Sequence, residues 1–156
     1  MQIDSENRTV LPITCVILTK NEEKAIWECL SSVDFCQQII VVDSNSTDLT
    51  SKIVCDFGSE LINFTWNGTY PKKKQWALQH PRVRNDWILL LDADERISIQ
   101  LKNEIAGFMN DPDKYCKVWR EFQTDELPSY WVVWPHSESK GWCDRITGRL
   151  THNHVS

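Results

Sequence analysis

The segment DWILLLDADER, residues 86–96, joins an apolar run directly to a cluster of acids. An apolar run without alternation is typical of a strand that is buried on both faces. Asp92 and Asp94 follow it, so in an extended backbone their side chains would point to the same side and share one cation. Mg²⁺ and Mn²⁺ suit such a site, because they bind one or two carboxylates together with substrate phosphates and waters. We therefore predict a metal-bridged diphosphate substrate; the alternative is a strand ending in solvated acids that cap the next helix.

The elements that must position these acids alternate along the chain. Short apolar runs predict strands at residues 11–18, 39–42, 61–64 and 87–91. Helical patterns predict helices at residues 24–33, 49–57 and 72–80. Strands that alternate with helices indicate an α/β fold with a parallel sheet and right-handed crossovers. Three of the strands end in TKNEE, DSNSTD and DADE, and a parallel sheet brings such ends to the edge where ligands bind.

A nucleoside diphosphate fits the polar groups expected at this edge. Hydrogen-bonding groups for a base or a ribose are offered by Thr19, Asn21 and Glu22. Asp43 can accept a hydrogen bond from an imide N–H, and Asp92 can accept hydrogen bonds from ribose hydroxyls. A local role is the alternative for each residue: Asp43 and Ser44 would cap the following helix, and Asn21 would end a strand.

Composition narrows the class of protein. A length of 156 residues is that of one domain with a sizeable core. The net charge of −5 gives no support to nucleic-acid binding. Nothing approaches a membrane-spanning apolar run, and the polar N-terminus lacks the features of a signal peptide, so we expect a cytoplasmic protein. The six cysteines form no C-x-x-C pair, and we expect them to be reduced, with Cys15 and Cys55 in the core.

Four motifs carry a family resemblance: VILTKNEEKAIWECLSSV, QQIIVVDSNSTDLT, FTWNGTYPKKKQWAL and DWILLLDADE. In this order they resemble the family-2 glycosyltransferases, nucleotide-sugar-dependent enzymes of the GT-A fold, and in particular bacterial enzymes that add sugars to the lipopolysaccharide core and other surface glycans. The resemblance covers about residues 11–105. It implies a Rossmann-like, mostly parallel sheet flanked by helices, with an N-terminal tail (1–10), a nucleotide-sugar-binding core (11–106) and a short, atypical acceptor-side region (107–156).

The resemblance also implies a role for each matched residue. The nucleoside site would be lined by Thr19, Asn21, Glu22 and Ser44. Asp43 would contact the uracil of a UDP-sugar, and Asp92 would hold the ribose. Lys74, in the KKKQWAL segment, would face the donor's phosphates as a compact counter-charge. Asp94 would hold the divalent metal, Mg²⁺ or Mn²⁺.

The second half of the chain must then supply the acceptor side. Family members of this kind invert the anomeric centre by direct displacement, so a carboxylate takes the proton of the acceptor hydroxyl on the face opposite the leaving group. Residues 107–156 are shorter than the acceptor half usual in the family. Three interpretations stay open: a compact platform of stacking indoles, a domain with a deleted middle, and an out-of-frame or truncated end. On the second, which we favour, Glu138 is the catalytic base and His152 or His154 approaches the metal; the alternative is that these are surface histidines near the terminus.

The function implied by the resemblance is transfer of a sugar from a UDP-sugar donor to a glycan or glycolipid acceptor at the inner face of the membrane, through peripheral association with it. A non-catalytic nucleotide-sugar-binding remnant is the alternative if the acceptor half is incomplete. A nucleotidyltransferase is disfavoured, because it would carry a glycine-rich basic loop after the first strand and TKNEE contains no glycine.

Overall fold

The computed structural model describes residues 2–3, 9–69, 73–110, 131–132 and 149–152. Within these residues the strands are β1 (Gln2–Ile3), β2 (Thr9–Thr19), β3 (Cys36–Asp43), β4 (Glu60–Asn63), β5 (Trp87–Asp92), β6 (Trp131–Val132) and β7 (Arg149–His152). The helices are α1 (Ile26–Ser32), α2 (Thr50–Phe57), α3 (Lys73–Leu78) and α4 (Ile99–Asn110). Strands and helices alternate from β2 to α4, as the sequence pattern predicted.

One mostly parallel sheet organises the described residues. Its strand order is β4-β3-β2-β5-β7-β6, and β1 pairs with β2 off this path. The four neighbours β4, β3, β2 and β5 are parallel, whereas β7 is antiparallel to β5. The chain builds β3 and β4 on one side of β2 and then returns to place β5 on the other side. The strand order therefore reverses between β2 and β5, and in open α/β sheets ligands bind outside the strand ends at such a point.

Apolar side chains cover both faces of the parallel strands. On one face Ile17 of β2 belongs to a buried cluster with Leu30 of α1 and Val54 of α2. On the other face Val16 belongs to a second cluster with Ala77 of α3. Because both faces need apolar residues, the strand sequences do not alternate. Each fully buried aliphatic side chain contributes roughly 1.5–3 kcal/mol, so this double packing holds the strand ends in fixed positions.

The register decides which strand ends lie side by side. Thr19 of β2 pairs with Asp43 of β3, and Leu18 of β2 pairs with Asp92 of β5. Neighbouring strands lie about 4.8 Å apart, so the Asp43 and Asp92 backbones lie roughly 10 Å apart with β2 between them. The three polar strand ends thus meet at one edge of the sheet.

Most predicted elements are present with bounds shifted by a few residues, and the α/β parallel fold is confirmed. Three features differ from the sequence analysis. The N-terminal part of β2, which includes Val10, pairs with β1 inside the expected tail. Helix α4 was not predicted, and it continues past the expected boundary at residue 106. Cys55 is exposed rather than in the core, because the buried residues of α2 are Thr50 and Val54.

The helices of the described residues are all short. None of them combines the length and apolar character needed to cross a membrane. The longest, α4, has 12 residues.

Candidate functional site

The loop after β3 folds back on the last residue of its own strand. The Asp43 side chain is only 1% exposed. One of its carboxylate oxygens accepts a hydrogen bond from the Ser46 backbone N–H at 2.8 Å, and the other accepts one from the Ser46 hydroxyl at 2.5 Å. The Asp43 carboxylate therefore closes its own loop and does not cap the following helix as the alternative held, because the N-cap residue of α2 is Leu49, whose side chain makes no cap hydrogen bond.

The loops after β2 and β3 are joined to each other. The Ser46 hydroxyl oxygen also accepts a hydrogen bond from the backbone N–H of Asn21 at 2.8 Å. The Asn21 side-chain oxygen accepts one from the backbone N–H of Thr47, also at 2.8 Å. The Asn21 side-chain carbonyl is therefore hydrogen-bonded to the loop after β3, and this contact helps to fix the edge of the sheet between β2 and β3.

Both loops turn through a left-handed asparagine two residues beyond the paired residues Thr19 and Asp43. Asn21 has a φ of 52° and Asn45 has a φ of 56°. Asparagine is one of the few non-glycine residues that adopts this conformation readily. The Asn45 side-chain nitrogen donates to the Thr65 hydroxyl at 2.9 Å, which ties the second loop to the segment after β4.

Glu22 contributes through its backbone. Its N–H donates to the Thr50 hydroxyl at 2.9 Å, and its carbonyl accepts from the N–H of Ile26 at the start of α1. The residue therefore connects the end of β2 to the first turns of α1 and α2.

Thr19 lies at the centre of the edge, and its carbonyl is hydrogen-bonded whereas its hydroxyl is not. Its carbonyl accepts from the Ser44 N–H at 3.0 Å and from the Lys73 ammonium at 2.7 Å. Its hydroxyl oxygen is buried and has no hydrogen-bond partner among the described residues. Buried hydroxyls almost always have a partner, so this atom is a candidate to bind a ligand or an ordered water.

A lysine reaches the end of β2, where its ammonium bonds the Thr19 carbonyl, and it is not the lysine that the sequence analysis chose. Lys73 is half-buried; desolvation lowers the pKa of its ammonium, and the carboxylates of Asp43 and Asp92 act against that by raising it. Lys74, which was expected to face the donor's phosphates, is exposed. The cation placed at the strand ends is therefore that of Lys73.

The acidic segment after β5 closes into a turn. The Asp92 N–H donates to the Glu95 carboxylate and the Asp92 carbonyl accepts from the Glu95 N–H, both at 2.9 Å. The Ala93 N–H donates to the carbonyl of Leu18 at 3.0 Å and so extends the pairing with β2. Asp92 and Asp94 are both exposed, but Asp94 lies in the turn beyond the strand. The same-side argument from an extended backbone therefore does not apply to this pair.

The carboxylates at this edge of the sheet fit a cation that needs few protein ligands. No group of three or more His, Cys, Asp or Glu side chains in the described ranges is arranged to hold a metal ion. Mg²⁺ and Mn²⁺ do not need such a cage, because substrate phosphates and waters complete their coordination. Asp94 and Asp92, both exposed carboxylates at the edge of the sheet, match that requirement.

Beside Ser44 and Lys73 lies an open cleft of about 480 Å³, here called the aromatic cleft. It is lined by Lys20, Ser44, Asn45, Phe64, Thr65, Trp66 and Lys73. It brings two ammonium groups and two aromatic rings to the ends of β2, β3 and β4.

Comparison with known proteins decides the family. Residues 14–155 match the model of a protein family described as "Glycosyl transferase family 2". The chain belongs to glycosyl transferase family 2. This confirms the resemblance drawn from its motifs, and its sheet is of the GT-A, Rossmann-like type.

Three relatives illustrate the match. An uncharacterized glycosyltransferase of Rickettsia felis is 42% identical over 94 residues, which are 60% of this chain and 32% of the relative. The lipopolysaccharide core biosynthesis glycosyltransferase LpsC of Rhizobium meliloti is 31% identical over 125 residues, 77% of this chain and 45% of LpsC. The crystal structure of S. aureus TarS 1-349 has a TM-score of 0.53 and 27% identity over 64% of this chain and 32% of that chain. This family 2 chain therefore spans less than half the length of these relatives.

The acceptor-side residues named from the sequence need a separate account in this family 2 chain. Glu138 and His154 lie outside the described residues. His152 pairs with Trp87 in the antiparallel β5–β7 register. Trp87 is the first residue of β5 and Asp92 the last, and at about 3.3 Å per residue the strand places His152 roughly 16 Å from Asp92 along its length. The expectation that His152 approaches the metal beside Asp94 does not fit this register.

Sequence reasoning missed three residues of the site, each with a signal that could have found it. Ser46 stands three residues after Asp43, the spacing of a side-chain-capped turn. Lys73 is the first residue of α3, and the sequence alone does not distinguish it from its neighbours in the KKK run. Trp66 was considered only as part of a motif. An exposed tryptophan close to the carboxyl ends of the parallel strands, where ligands bind, indicates a binding surface.

Proposed function

We propose that this chain forms the donor side of an inverting glycosyltransferase that uses a UDP-sugar and a divalent metal, Mg²⁺ or Mn²⁺. The acceptor that we propose is a lipopolysaccharide-core or other surface glycan, reached at the inner face of the membrane. The name of LpsC, a lipopolysaccharide core biosynthesis glycosyltransferase, supports the acceptor class. Membership of glycosyl transferase family 2 supports the reaction class.

One observation carries the proposal: the Lys73 ammonium donates a hydrogen bond to the Thr19 carbonyl at the end of β2, the strand that lies between β3, which ends in Asp43, and β5, which ends in Asp92. Both carboxylates raise the pKa of this ammonium. A nucleoside diphosphate needs acceptors for its ribose hydroxyls and a cation for its phosphates within one cleft. Carboxylates on β3 and β5, with the cation at the end of β2, supply both kinds of group across roughly 10 Å.

The proposed roles follow from exposure. Asp92 is exposed and can accept hydrogen bonds from ribose hydroxyls. Asp94 is exposed in the turn and would hold the metal together with the diphosphate. Lys73 would place its charge on the phosphates, because an ammonium is a compact counter-ion that moves easily on its flexible stem.

The bound metal would supply positive charge at the leaving diphosphate. Asp94, once bound to a cation, is a poor proton acceptor, because the cation favours its charged form. The base for the acceptor hydroxyl must therefore be another carboxylate, on the face opposite the diphosphate. Glu138 remains our proposal for that role.

Donor binding and sugar release together test the proposal. The full chain is mixed with UDP, with and without Mn²⁺, and its thermal unfolding is recorded, since a ligand that binds only the native state raises the apparent stability. We expect UDP with Mn²⁺ to raise the unfolding temperature of the wild type. Asp94→Ala should lose the metal-dependent part of that shift and keep the rest.

Release of free sugar from UDP-sugars, measured beside UDP affinity, then separates an enzyme from a binding protein. Slow hydrolysis of the donor that depends on Mn²⁺ and Asp94 supports a transferase. Metal-dependent binding of UDP with no release of sugar from any UDP-sugar and no transfer to a glycan would contradict catalysis by this chain. A thermal shift that ignores the substitution would contradict the metal role of Asp94.

A further inference from the structure

Helix α1 packs against the segment that carries the proposed metal site. In this segment exposed acids stand beside buried apolar residues: Asp92 and Asp94 are exposed, whereas Ala93 is 2% exposed and Ile97 6% exposed. Ala93 and Ile97 belong to the same buried cluster as residues of α1. Asp94 lies in the acidic turn, residues 92–95, beyond the end of β5. Its position therefore depends on how the buried neighbours on either side of it are anchored.

The first polar contact from α1 to this segment ends on the backbone of Asp92. The Cys29 thiol is 0% exposed and donates to the Asp92 carbonyl oxygen, 3.7 Å from the sulfur. The same carbonyl accepts from the Glu95 N–H, so one oxygen ties the acidic turn both to itself and to α1. Burial raises the pKa of this thiol, and the carboxylates of the acidic turn are among the charges that raise it further, as expected for neighbouring groups.

The second polar contact holds the far end of the segment. The Ser32 hydroxyl oxygen accepts from the Ile97 N–H at 3.1 Å, and the hydroxyl donates to the Cys29 carbonyl at 2.7 Å. The Ile97 amide is thereby tied to the backbone of α1. Cys29 and Ser32 are three residues apart, so they lie on the same face of the helix. That face holds the segment on both sides of Asp94.

A third contact lies at the surface. Glu28 of α1 forms an ion pair with Arg96, and both side chains are more than half exposed. Exposed ion pairs of this kind contribute little to stability. The polar attachment of the segment to α1 therefore depends mainly on Cys29 and Ser32.

The beginning of α1 is attached to the other side of the site. The Glu22 carbonyl accepts from the Ile26 N–H at 2.9 Å, and the Glu22 N–H donates to the hydroxyl of Thr50, the first residue of α2. The Glu23 carboxylate accepts from the Leu49 N–H at 3.0 Å. Helix α1 therefore connects the loops that follow β2 and β3 with the turn that follows β5.

We propose that α1 is a brace for the metal site, in which Cys29 and Ser32 are positioning residues that hold Asp94 in place beside Asp92. This inference rests on the proposed function. Neither residue touches the ligand, because both act through the backbone of the segment. A cation that takes only one or two carboxylates from the protein depends on the exact position of each. When the brace is loosened, the apparent affinity for the metal falls with the fraction of molecules that keep the binding conformation.

The test measures how much Mn²⁺ strengthens the binding of UDP. Calorimetry on the full chain gives the dissociation constant of UDP with and without Mn²⁺, and their ratio is here called the metal enhancement. Ser32→Ala removes the acceptor of the Ile97 N–H and should lower the metal enhancement roughly 3- to 10-fold. UDP affinity without Mn²⁺ should stay within about twofold, because the pairing of Asp92 with Leu18 of β2 is kept. Ser32→Thr keeps a hydroxyl and should restore the metal enhancement.

The preceding residue of the helix provides a matched control. The Ser31 hydroxyl donates to the carbonyl of Trp27 at an exposed position, so Ser31→Ala should leave the metal enhancement within about twofold of the wild type. Cys29→Ala is a second, independent variant, and it should lower the metal enhancement because the Asp92 carbonyl loses its contact with α1. Urea denaturation of each variant separates this effect from a loss of stability.

Hydrogen exchange reports the brace without any ligand. Mass spectrometry of the free protein should show faster exchange over residues 92–97 in Ser32→Ala than in Ser31→Ala, because the Ile97 N–H has lost its acceptor. A merely structural role of Ser32 would lower the free energy of unfolding and leave the metal enhancement of the folded protein unchanged.

The outcomes separate the two proposals. If Ser32→Ala keeps the metal enhancement, loses it without faster exchange over residues 92–97, or loses UDP affinity equally with and without Mn²⁺, the brace is wrong while donor binding stands. If Mn²⁺ does not strengthen UDP binding to the wild type, the metal-dependent function itself fails, and the brace fails with it.

Discussion

The side chain of Ser46 bridges two loops by donating to the Asp43 carboxylate and accepting from the Asn21 backbone. Asp43 is the last residue of β3, and Asn21 lies in the loop after β2, the adjacent strand. The bridge therefore sets the position of both loops relative to each other. A buried carboxylate that kept only one of its two donors would be costly, so the bridge is also a source of stability.

Ser46→Ala tests this bridge. Loss of the hydroxyl leaves one oxygen of the buried Asp43 without its donor, which should lower the free energy of unfolding by about 1–3 kcal/mol. Urea denaturation measures the change. Ser31→Ala is the control, because the Ser31 hydroxyl also donates one hydrogen bond, to the carbonyl of Trp27, but at an exposed position. Equal effects of the two substitutions would contradict the structural role of Ser46.

Lys73→Met should weaken binding of UDP with Mn²⁺ roughly 10-fold or more, because hydrogen bonds to charged groups contribute about 1.5–3 kcal/mol. Methionine keeps the apolar stem and removes the charge. Lys74→Met, on the exposed neighbour, should change the affinity less than about twofold. Isothermal titration calorimetry compares the two variants. The reverse result, with Lys74 essential and Lys73 dispensable, would restore the residue that the motif indicated.

The thiols should differ sharply in their reactivity with iodoacetamide. Burial raises the pKa of the Cys29 thiol well above its ordinary value, with Cys15 and the nearby carboxylates of the acidic turn adding to the effect. Since the thiolate is the nucleophile, Cys29 should react only after unfolding. Cys55 is exposed on α2 and should react in the native protein. Peptide mass spectrometry after timed labelling checks this order, and rapid native labelling of Cys29 would contradict its burial.

The strands and their shared edge could be predicted because one physical rule covers them. A run such as residues 87–91 contains no polar residue, so it has to be buried on both faces, and parallel strands end at a common edge. Asp43 and Asp92 were therefore expected at one site, and the register places them on either side of β2. Periodicity alone was sufficient for this part of the fold.

The remaining contacts depend on details that periodicity does not contain. Successive residues of a helix point about 100° apart, so the choice between Lys73 and Lys74 needed the position at which α3 begins. The turn that joins Asp43 to Ser46 depends on a side-chain hydrogen bond over three residues. The antiparallel pairing of β7 with β5 joins residues far apart in the chain. It places His152 opposite Trp87, at the amino end of β5.

Thr19→Val tests whether the unpartnered hydroxyl at the centre of the site binds the donor. Valine has nearly the same shape, and removing a buried hydroxyl without a partner should leave the free energy of unfolding unchanged or raise it by up to about 1 kcal/mol. Thr14→Val is the matched control on the same strand. The Thr14 hydroxyl donates to Gln38 at 2.7 Å and accepts from the Asn85 amide at 3.1 Å, so its loss should cost about 1–3 kcal/mol.

The same pair of variants separates a functional hydroxyl from a merely tolerated one. If the Thr19 hydroxyl binds the nucleotide, Thr19→Val should keep its stability and lose part of the thermal shift that UDP with Mn²⁺ produces. Thr14→Val should show the opposite pattern, because Thr14 lies five residues before Thr19 on β2, about 16 Å from the edge, where it pairs with Ile88 of β5. An unchanged UDP response in Thr19→Val would mean that this oxygen serves neither the ribose nor the phosphates, and that the donor binds through the side chains on either side of it.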